Sequence, residues 1–391
     1  MNLRSCALAA AFATLGATAC DDSATSGLPD NTSAAITTYA RIVSATYEDA
    51  ATAGAALEAS VAAFVASPTA QGLDDAREAW LDSREPYLQT EVFRFYDGPI
   101  DDPTDGPEGL MNAWPLDEAY IDYVDGDADA GIINGTETID APTLEALNEQ
   151  GGEENIATGY HAIEFLLWGQ DHSATGPGDR PYTDYVDGVS GTAANPHRRA
   201  TYLQVVTRLL VEHLDGLVAA WRADTAGNYR ASFEAVRPEE GLRRILTGMI
   251  VLSGFETGGE RLQTALDSGD QEDEHSCFSD NTHRDMVQDV QGVWNVWHGS
   301  YTRTGGATVS GTGVREVIAA IDAELAAALD ARIDESLTLA KALQPPFDQE
   351  IAIGNEAGRA RVQALVTSLH TQEGLLQDVF RKLDLSVPAP E

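Results

Sequence analysis

An all-α protein made of two helical bundles is what this sequence predicts, on three observations. Apolar residues recur at three- and four-residue steps through most of the chain, strand-like alternation is nearly absent, and Gly, Pro and Asp clusters separate the helical runs. The 391 residues are 43% hydrophobic, enough for a large core, and a chain of this length favours two domains over one.

The first helix follows Ile36, Tyr39, Val43, Tyr47, Leu57, Val61 and Phe64, and Pro68 with its polar neighbours ends it. A second starts near Leu73, carries Ala76, Trp80 and Leu81, and meets a kink or break at Pro86. Between Tyr96 and Asn155 turn formers take over, among them Asp97-Gly98-Pro99, Asp101-Asp102-Pro103 and Asp105-Gly106-Pro107. Helix resumes at Asn155, a suitable N-cap, and stops at Gly169. A Gly/Pro/Asp-rich stretch from Asp171 to Pro196 divides the chain into an N-terminal helical domain, 34–190, and a C-terminal one, 191–391. The second half reads as helices at Arg199–Trp221, Glu239–Leu266, Asn281–His298, Val314–Leu343 and Glu356–Leu383.

Residues 1–20 read as an export segment. Arg4 supplies the positive end, Cys6 to Leu15 an apolar stretch too short to span a bilayer, and small residues lead into Cys20. That arrangement resembles a bacterial lipobox, with Cys20 lipidated as the first mature residue. Ala17 stands where Leu is preferred, so ordinary cleavage near Ala19 is the alternative. Residues 21–33 read as a flexible tether. The expected location is therefore the cell envelope, facing the periplasm and anchored to a membrane by lipid. Cys277 is then the sole mature cysteine, so no internal disulfide can form.

With 24 Lys+Arg against 63 Asp+Glu the net charge is −39, which argues against nucleic-acid binding and against basic docking on anionic lipid. Cations or a basic partner suit such a surface, and plain solvation is the alternative.

The segment Asn155 to Gly169 holds the most informative chemistry. His161 and Glu164, three apart, share one face of a helix that is otherwise apolar nearly all round. Burying both costs several kcal/mol, on the order of that for other buried polar groups, unless they pair or bind something. Gly159 lets a backbone or ligand approach closely. Here Gly159-Tyr-His161-Ala-Ile-Glu164 resembles the G-x-H-x-x-E signature of the imelysin family. Glu85 to Pro99, Asn112 to Glu118 and Glu274 to His283 are similar to its iron-regulated protein A branch, in the same order along the chain. The resemblance implies an exported, often lipid-anchored, two-bundle helical protein with its motif in a cleft between the halves. It further implies a role in uptake or handling of iron or another transition metal, with an envelope transporter as partner.

The residues themselves favour metal binding over hydrolysis. A zincin grips zinc with two His at i and i+4, whereas this helix has one, and residue 165 is Phe where the inverted motif needs His. Imidazole with carboxylates suits iron, zinc or copper, with iron favoured by the family. His161 and Glu164 are the expected ligands, with Glu91 and Asp117, from the family-like segments, as the first further carboxylates and Glu85 behind them. A second cluster, Asp270 to His283, joins five acids to His275, Cys277 and His283; His275 and Cys277 alternate and could face one ion. Glu256 and Glu260 form a weaker carboxylate pair on a glycine-thinned helix. Asp125-Gly-Asp127-Ala-Asp129 imitates the start of a calcium loop, but its Gly and Glu fall out of place, leaving a solvated turn. The competing functions are a metallopeptidase, and an adhesion or scaffold protein whose His–Glu pair is purely structural.

Overall fold

The computed structural model describes residues 27–385. The expected signal peptide, Cys20 and most of the expected tether lie outside the described residues. Helix α1, Thr32–Ala66, starts two residues before the expected end of the tether and buries Tyr39, Val43, Tyr47, Leu57, Val61 and Phe64 along one stripe. By length and a mean hydropathy of 1.2 it could cross a bilayer, yet that stripe is part of the main core. Helix α2, Ala70–Leu88, is capped by Thr69, whose hydroxyl accepts from the Gly72 amide at 3.0 Å. It passes through Pro86 instead of breaking there, and ends two residues later at Leu88.

From 89 to 158 the chain forms short helices, Glu108–Met111, Glu118–Ile121, Gly131–Asn134 and Ala141–Leu147, too brief to leave a periodic signal. Helix α3, Gly159–Trp168, carries the G-x-H-x-x-E motif and begins four residues later than expected. Asn155 does not cap it; its amide donates to the Gln150 carbonyl. The start is set at Gly159, whose φ of +88° lies in the left-handed region and lets the chain turn into the helix beside Met111.

Helix α4, Pro196–Trp221, packs along α1. Helix α5, Pro238–Val251, continues as a π-helix over Leu252–Gln263 and a last α-turn at Thr264–Ser268, so the single expected helix is one rod with an underwound middle that contains Gly254, Gly258 and Gly259. Helix α6 spans Thr282–His298. An antiparallel hairpin follows, β1 Ser300–Thr302 against β2 Thr308–Ser310, with Tyr301 opposite Val309. The expected helix Val314–Leu343 is two, α7 Val314–Ile321 and α8 Ala323–Ala340. Asp322 divides them by capping α8, accepting from the amides of Glu324 and Leu325. Helix α9, Glu356–Lys382, closes the fold.

The fold is all-α apart from that hairpin among the described residues. Its main apolar cluster draws on α1 to α6 and on parts of α7, α8 and α9, and so runs across residue 190. A second cluster joins Leu262, Met286, Val290, Phe347, Val362 and Leu365. The motif helix α3 lies inside the main cluster, with all ten residues buried.

Candidate metal centre

Two histidines from distant segments meet beside α3. His161 and His275 are each 1% exposed, and their rings pack edge to face with centroids 4.9 Å apart. Each ring is held through Nδ1 by its own carboxylate.

His275 Nδ1 lies 2.7 Å from Asp285 Oδ2. Burial alone would raise the Asp285 carboxyl, but the Arg84 guanidinium and His275 hold it well below the usual carboxylate range. An ionised carboxylate only accepts, so Nδ1 carries the proton and Nε2 keeps its lone pair. The same carboxylate accepts from Arg84 Nη2 at 3.0 Å and from Ser276 Oγ at 2.5 Å. Arg84 is itself fully buried, donates to Asn112 Oδ1 at 2.6 Å and stacks over the Tyr160 ring at 4.9 Å.

His161 Nδ1 lies 2.9 Å from Glu164 Oε2. Glu164 Oε1 accepts from both the amide and the hydroxyl of Ser279, at 2.9 and 2.6 Å. Burial nonetheless pushes Glu164 up to about 8, with the Ser279 hydroxyl working against it. Both oxygens are thus engaged, and Glu164 orients His161 in this structure. The two expected ligands meet here as hydrogen-bonded partners. His161 Nε2 is buried and has no hydrogen-bond partner among the described residues. Burial, then Arg84, lowers His161 well below its ordinary value; burial, then Arg261, does the same to His275. Both imidazoles are neutral at pH 7. A carboxylate on Nδ1 and a bare Nε2, as at His275, is the orientation that metal-ligating histidines adopt; at His161 the protonated Glu164 donates through Oε2 to Nδ1, so Nε2 carries a proton that a metal ion would displace.

The π-helix and α6 supply the neighbouring wall. Arg261 donates to Glu91 Oε2 at 2.5 Å and to Asp289 Oδ2 at 2.9 Å, and Thr257 donates to the same Asp289 oxygen. Against the burial that would raise it, Arg94 and Arg261 hold Glu91 down to about 2. Glu91 Oε1 and Asp289 Oδ1 are left buried without partners among the described residues. A cleft of about 410 Å³ opens onto His275, lined by Arg94, Glu108, Trp114, Glu256, Glu260 and Arg261. Glu256 and Glu260 therefore stand at its wall, as carboxylates that a cation would meet on entry.

The remaining sequence-expected candidates lie elsewhere. Asp117 is exposed and caps the Glu118–Ile121 turn, accepting from the Ala119 amide at 3.0 Å, so it does not join His161. Glu85 pairs with Arg284 at 2.6 Å. His283 is half-buried on the first turn of α6, with Nδ1 at 3.2 Å from the Asp280 carbonyl. Cys277 is 7% exposed in the main apolar cluster, where burial pushes its thiol up, so it packs as a small hydrophobe and not as a partner of His275. The calcium-loop lookalike is a tight exposed turn in which Val124 bridges Asp127. Arg84, Asp285, Arg261 and Asp289 escaped the sequence reading. Arg84 and Asp285 adjoin residues singled out there, but nothing local signals a pairing across 201 positions.

The imelysin family model matches residues 43–376. The chain is 26% identical over 269 residues to iron-regulated protein A of Synechococcus elongatus, a match covering 66% of this chain and 62% of that protein. It therefore spans less than two thirds of that relative's length. In fold it is similar to a crystal structure from Parabacteroides distasonis assigned as an iron-regulated protein A precursor, with a TM-score of 0.66 at 19% identity, over 92% of this chain and 97% of the other. An imelysin-like protein from Psychrobacter arcticum is similar with a TM-score of 0.65 at 14% identity, over the same 92% and 97%.

Proposed function

The chain belongs to the imelysin family, and from that premise we propose that it is an exported, lipid-anchored envelope protein that takes up a transition-metal ion, iron by preference, at the His161–His275 pair. The observation that carries this reading is the buried Nε2 of His161, unpartnered while its Nδ1 is tied to a carboxylate. A ring nitrogen so placed lacks a hydrogen-bond partner in an apolar interior, at a cost of about 1–3 kcal/mol. A metal ion offsets that cost, and a second neutral imidazole stands 4.9 Å away, centroid to centroid.

The donor set fits. Two neutral imidazoles suit iron, zinc or copper, and the free Glu91 oxygen, which does not form a three-ligand set with them in this structure, is the nearby carboxylate a bound ion would have to draw in. The name iron-regulated protein A, borne by the Synechococcus relative, favours iron. Acidic residues in the cleft would draw a cation toward His275. Other coordination positions would go to water or to ligands arriving with the ion, and an envelope transporter is the partner such a cargo calls for. The −39 net charge supports no role in binding nucleic acid. Peptidase chemistry is not part of this reading, because Glu164 and Asp285, the carboxylates beside the two rings, are both committed to holding them.

Calorimetric titration of chelator-stripped protein with Fe²⁺ and Zn²⁺ tests the metal site. His161→Ala and His275→Ala should each weaken binding by more than about tenfold, since even indirect partners of a metal commonly contribute 10–100-fold. Unchanged affinity in both variants would leave the pair structural and the reading wrong. For the anchor, Cys20→Ser should abolish partitioning of the native protein into detergent.

A further inference from the structure

We propose that His298, Asp330 and Asp334 form a second site for a divalent transition metal, separate from the buried histidine pair, on the face where α6 meets α8. These three side chains offer ligand atoms that all lie within 4.8 Å of one another, and no other His/Cys/Asp/Glu set among the described residues does so. Neither His161 nor His275 belongs to such a set.

The sequence arranges the three simply. His298 is the last residue of α6, and Gly299 behind it, with φ +59°, ends the helix. Asp330 and Asp334 are one helical turn apart on α8 and share a face. His298 Nδ1 lies 3.1 Å from the Trp294 carbonyl. A carbonyl only accepts, so Nδ1 carries a proton, which leaves Nε2 facing Asp330 Oδ1 at 3.3 Å. Two lone pairs at that distance repel unless a cation stands between them. Either a second proton on the imidazole or a metal ion satisfies the pair, and Asp334 brings a second carboxylate that a proton does not need.

The surroundings prepare the ligands. Trp297 Nε1 donates to Asp330 Oδ1 at 3.0 Å and Trp294 Nε1 donates to Asp334 Oδ1 at 2.8 Å, so an indole fixes each carboxylate by one oxygen. The Trp294 ring stacks on His298 with centroids 4.0 Å apart at 23°, locking the imidazole plane. Arg315 Nη1 also reaches Asp330 Oδ1, at 3.5 Å, but the same guanidinium is held more closely by Glu316, through Nη2 at 2.9 Å. One imidazole and two carboxylates, partly exposed, leave at least one position for water. That set suits zinc and its late first-row neighbours better than calcium or magnesium, which prefer all-oxygen shells.

Trp294 makes the site readable. A Cu²⁺ titration of chelator-stripped protein at neutral pH, followed by tryptophan emission, should show a saturable quenching phase of one equivalent that Zn²⁺ competes away. The phase should persist in His161→Ala and in Trp114→Phe, the latter because Trp114 is the indole beside His275, with ring centroids 5.9 Å apart. Its amplitude should fall in Trp294→Phe to the part that Trp297, bonded to Asp330, reports, and it should shift to more than about tenfold higher copper concentration in His298→Gln and Asp334→Asn. Asp334 is exposed, and Asn keeps the acceptor for the Trp294 indole, so that variant should fold normally. Quenching that is unchanged in both ligand variants, or no saturable phase in the wild type, would show an ordinary His298–Asp330 ion pair and overturn the proposal.

Discussion

Replacing Gly159 by Ala should destabilise the protein far more than losing a hydrogen atom suggests. At φ +88° a Cβ is strained whatever the space, at about 1–2 kcal/mol. Here the space is also taken, since that Cβ would stand 2.6 Å from the Met111 carbonyl oxygen and 2.7 Å from its carbon. These are backbone atoms and cannot swing aside, so the Met111 segment or the start of α3 must move, at about 1–3 kcal/mol for overpacking. Both sides of the contact are anchored. Thr158 Oγ1 donates to the Leu110 carbonyl at 2.9 Å, and the buried Trp80 indole donates to the Tyr160 carbonyl at 3.0 Å. A total of about 2–5 kcal/mol should lower Tm by roughly 2–6 °C in a chain of this length, read by calorimetry or circular dichroism. Gly126→Ala is the control, because Gly126 has φ +87° but nothing within 4 Å of its added Cβ. It should show the strain alone. Equal shifts for the two variants would refute the claim that this glycine is required by backbone contact.

Further outcomes follow from the ionisable groups. Glu164 sits at about 8 in the fold against an ordinary value of 4.5, so the folded state holds the extra proton between those limits. Its contribution to stability is full below about 4.5 and is lost as pH rises through about 8, at up to about 1.4 kcal/mol per pH unit; Glu164→Gln should flatten the fall of Tm between pH 6.5 and 8, and an unaltered slope would contradict the assignment. Asp285→Ala strands the buried Arg84 and frees His275, so urea denaturation should report a loss of about 3–5 kcal/mol, whereas a loss below about 1 would mean that Arg84 finds another partner. No chelator-sensitive cleavage of a casein-like substrate is expected; cleavage that vanishes both with chelator and in Glu164→Gln would restore the peptidase reading.

The long helices were legible because each buries an unbroken stripe at helical spacing, as Tyr39 to Phe64 does on α1. Elements whose form depends on distant contacts were not. Asp322 could be read as one more acid in an amphipathic run, and only its capping of α8 shows that the helix restarts there. The hairpin after Gly299 is three residues a side, too short for alternation to register. Asn155 looked like an N-cap because local chemistry allows it, but the close approach of Met111, far back in the sequence, places the helix start at Gly159.

The same division between local and distant governs the candidate site. A His and a Glu in a wholly apolar helix stand out by the cost of burying them, and both prove buried and paired. What the spacing could not convey is the direction in which each carboxylate is used. Glu164 would be free to reach an ion were it not for Ser279, which lies 115 positions away and takes its second oxygen. Glu91 has an oxygen to spare because Arg94 and Arg261 crowd onto the other one. In both cases the arginines and hydroxyls around the site decide which carboxylate oxygens are taken and which stay free. An arrangement meant only to hide charge would satisfy every polar atom, as the Asp122–Arg199 pair does with bonds of 2.6 and 2.8 Å to both carboxylate oxygens. Around His161 the unpaired atoms are His161 Nε2 and single oxygens of Glu91 and Asp289, beside the unpaired donors Arg84 Nε, Arg94 Nε and Asn112 Nδ2. The imidazole nitrogen and the two carboxylate oxygens are the atoms a cation would satisfy, and they are the physical reason to look for metal here before looking for a reaction.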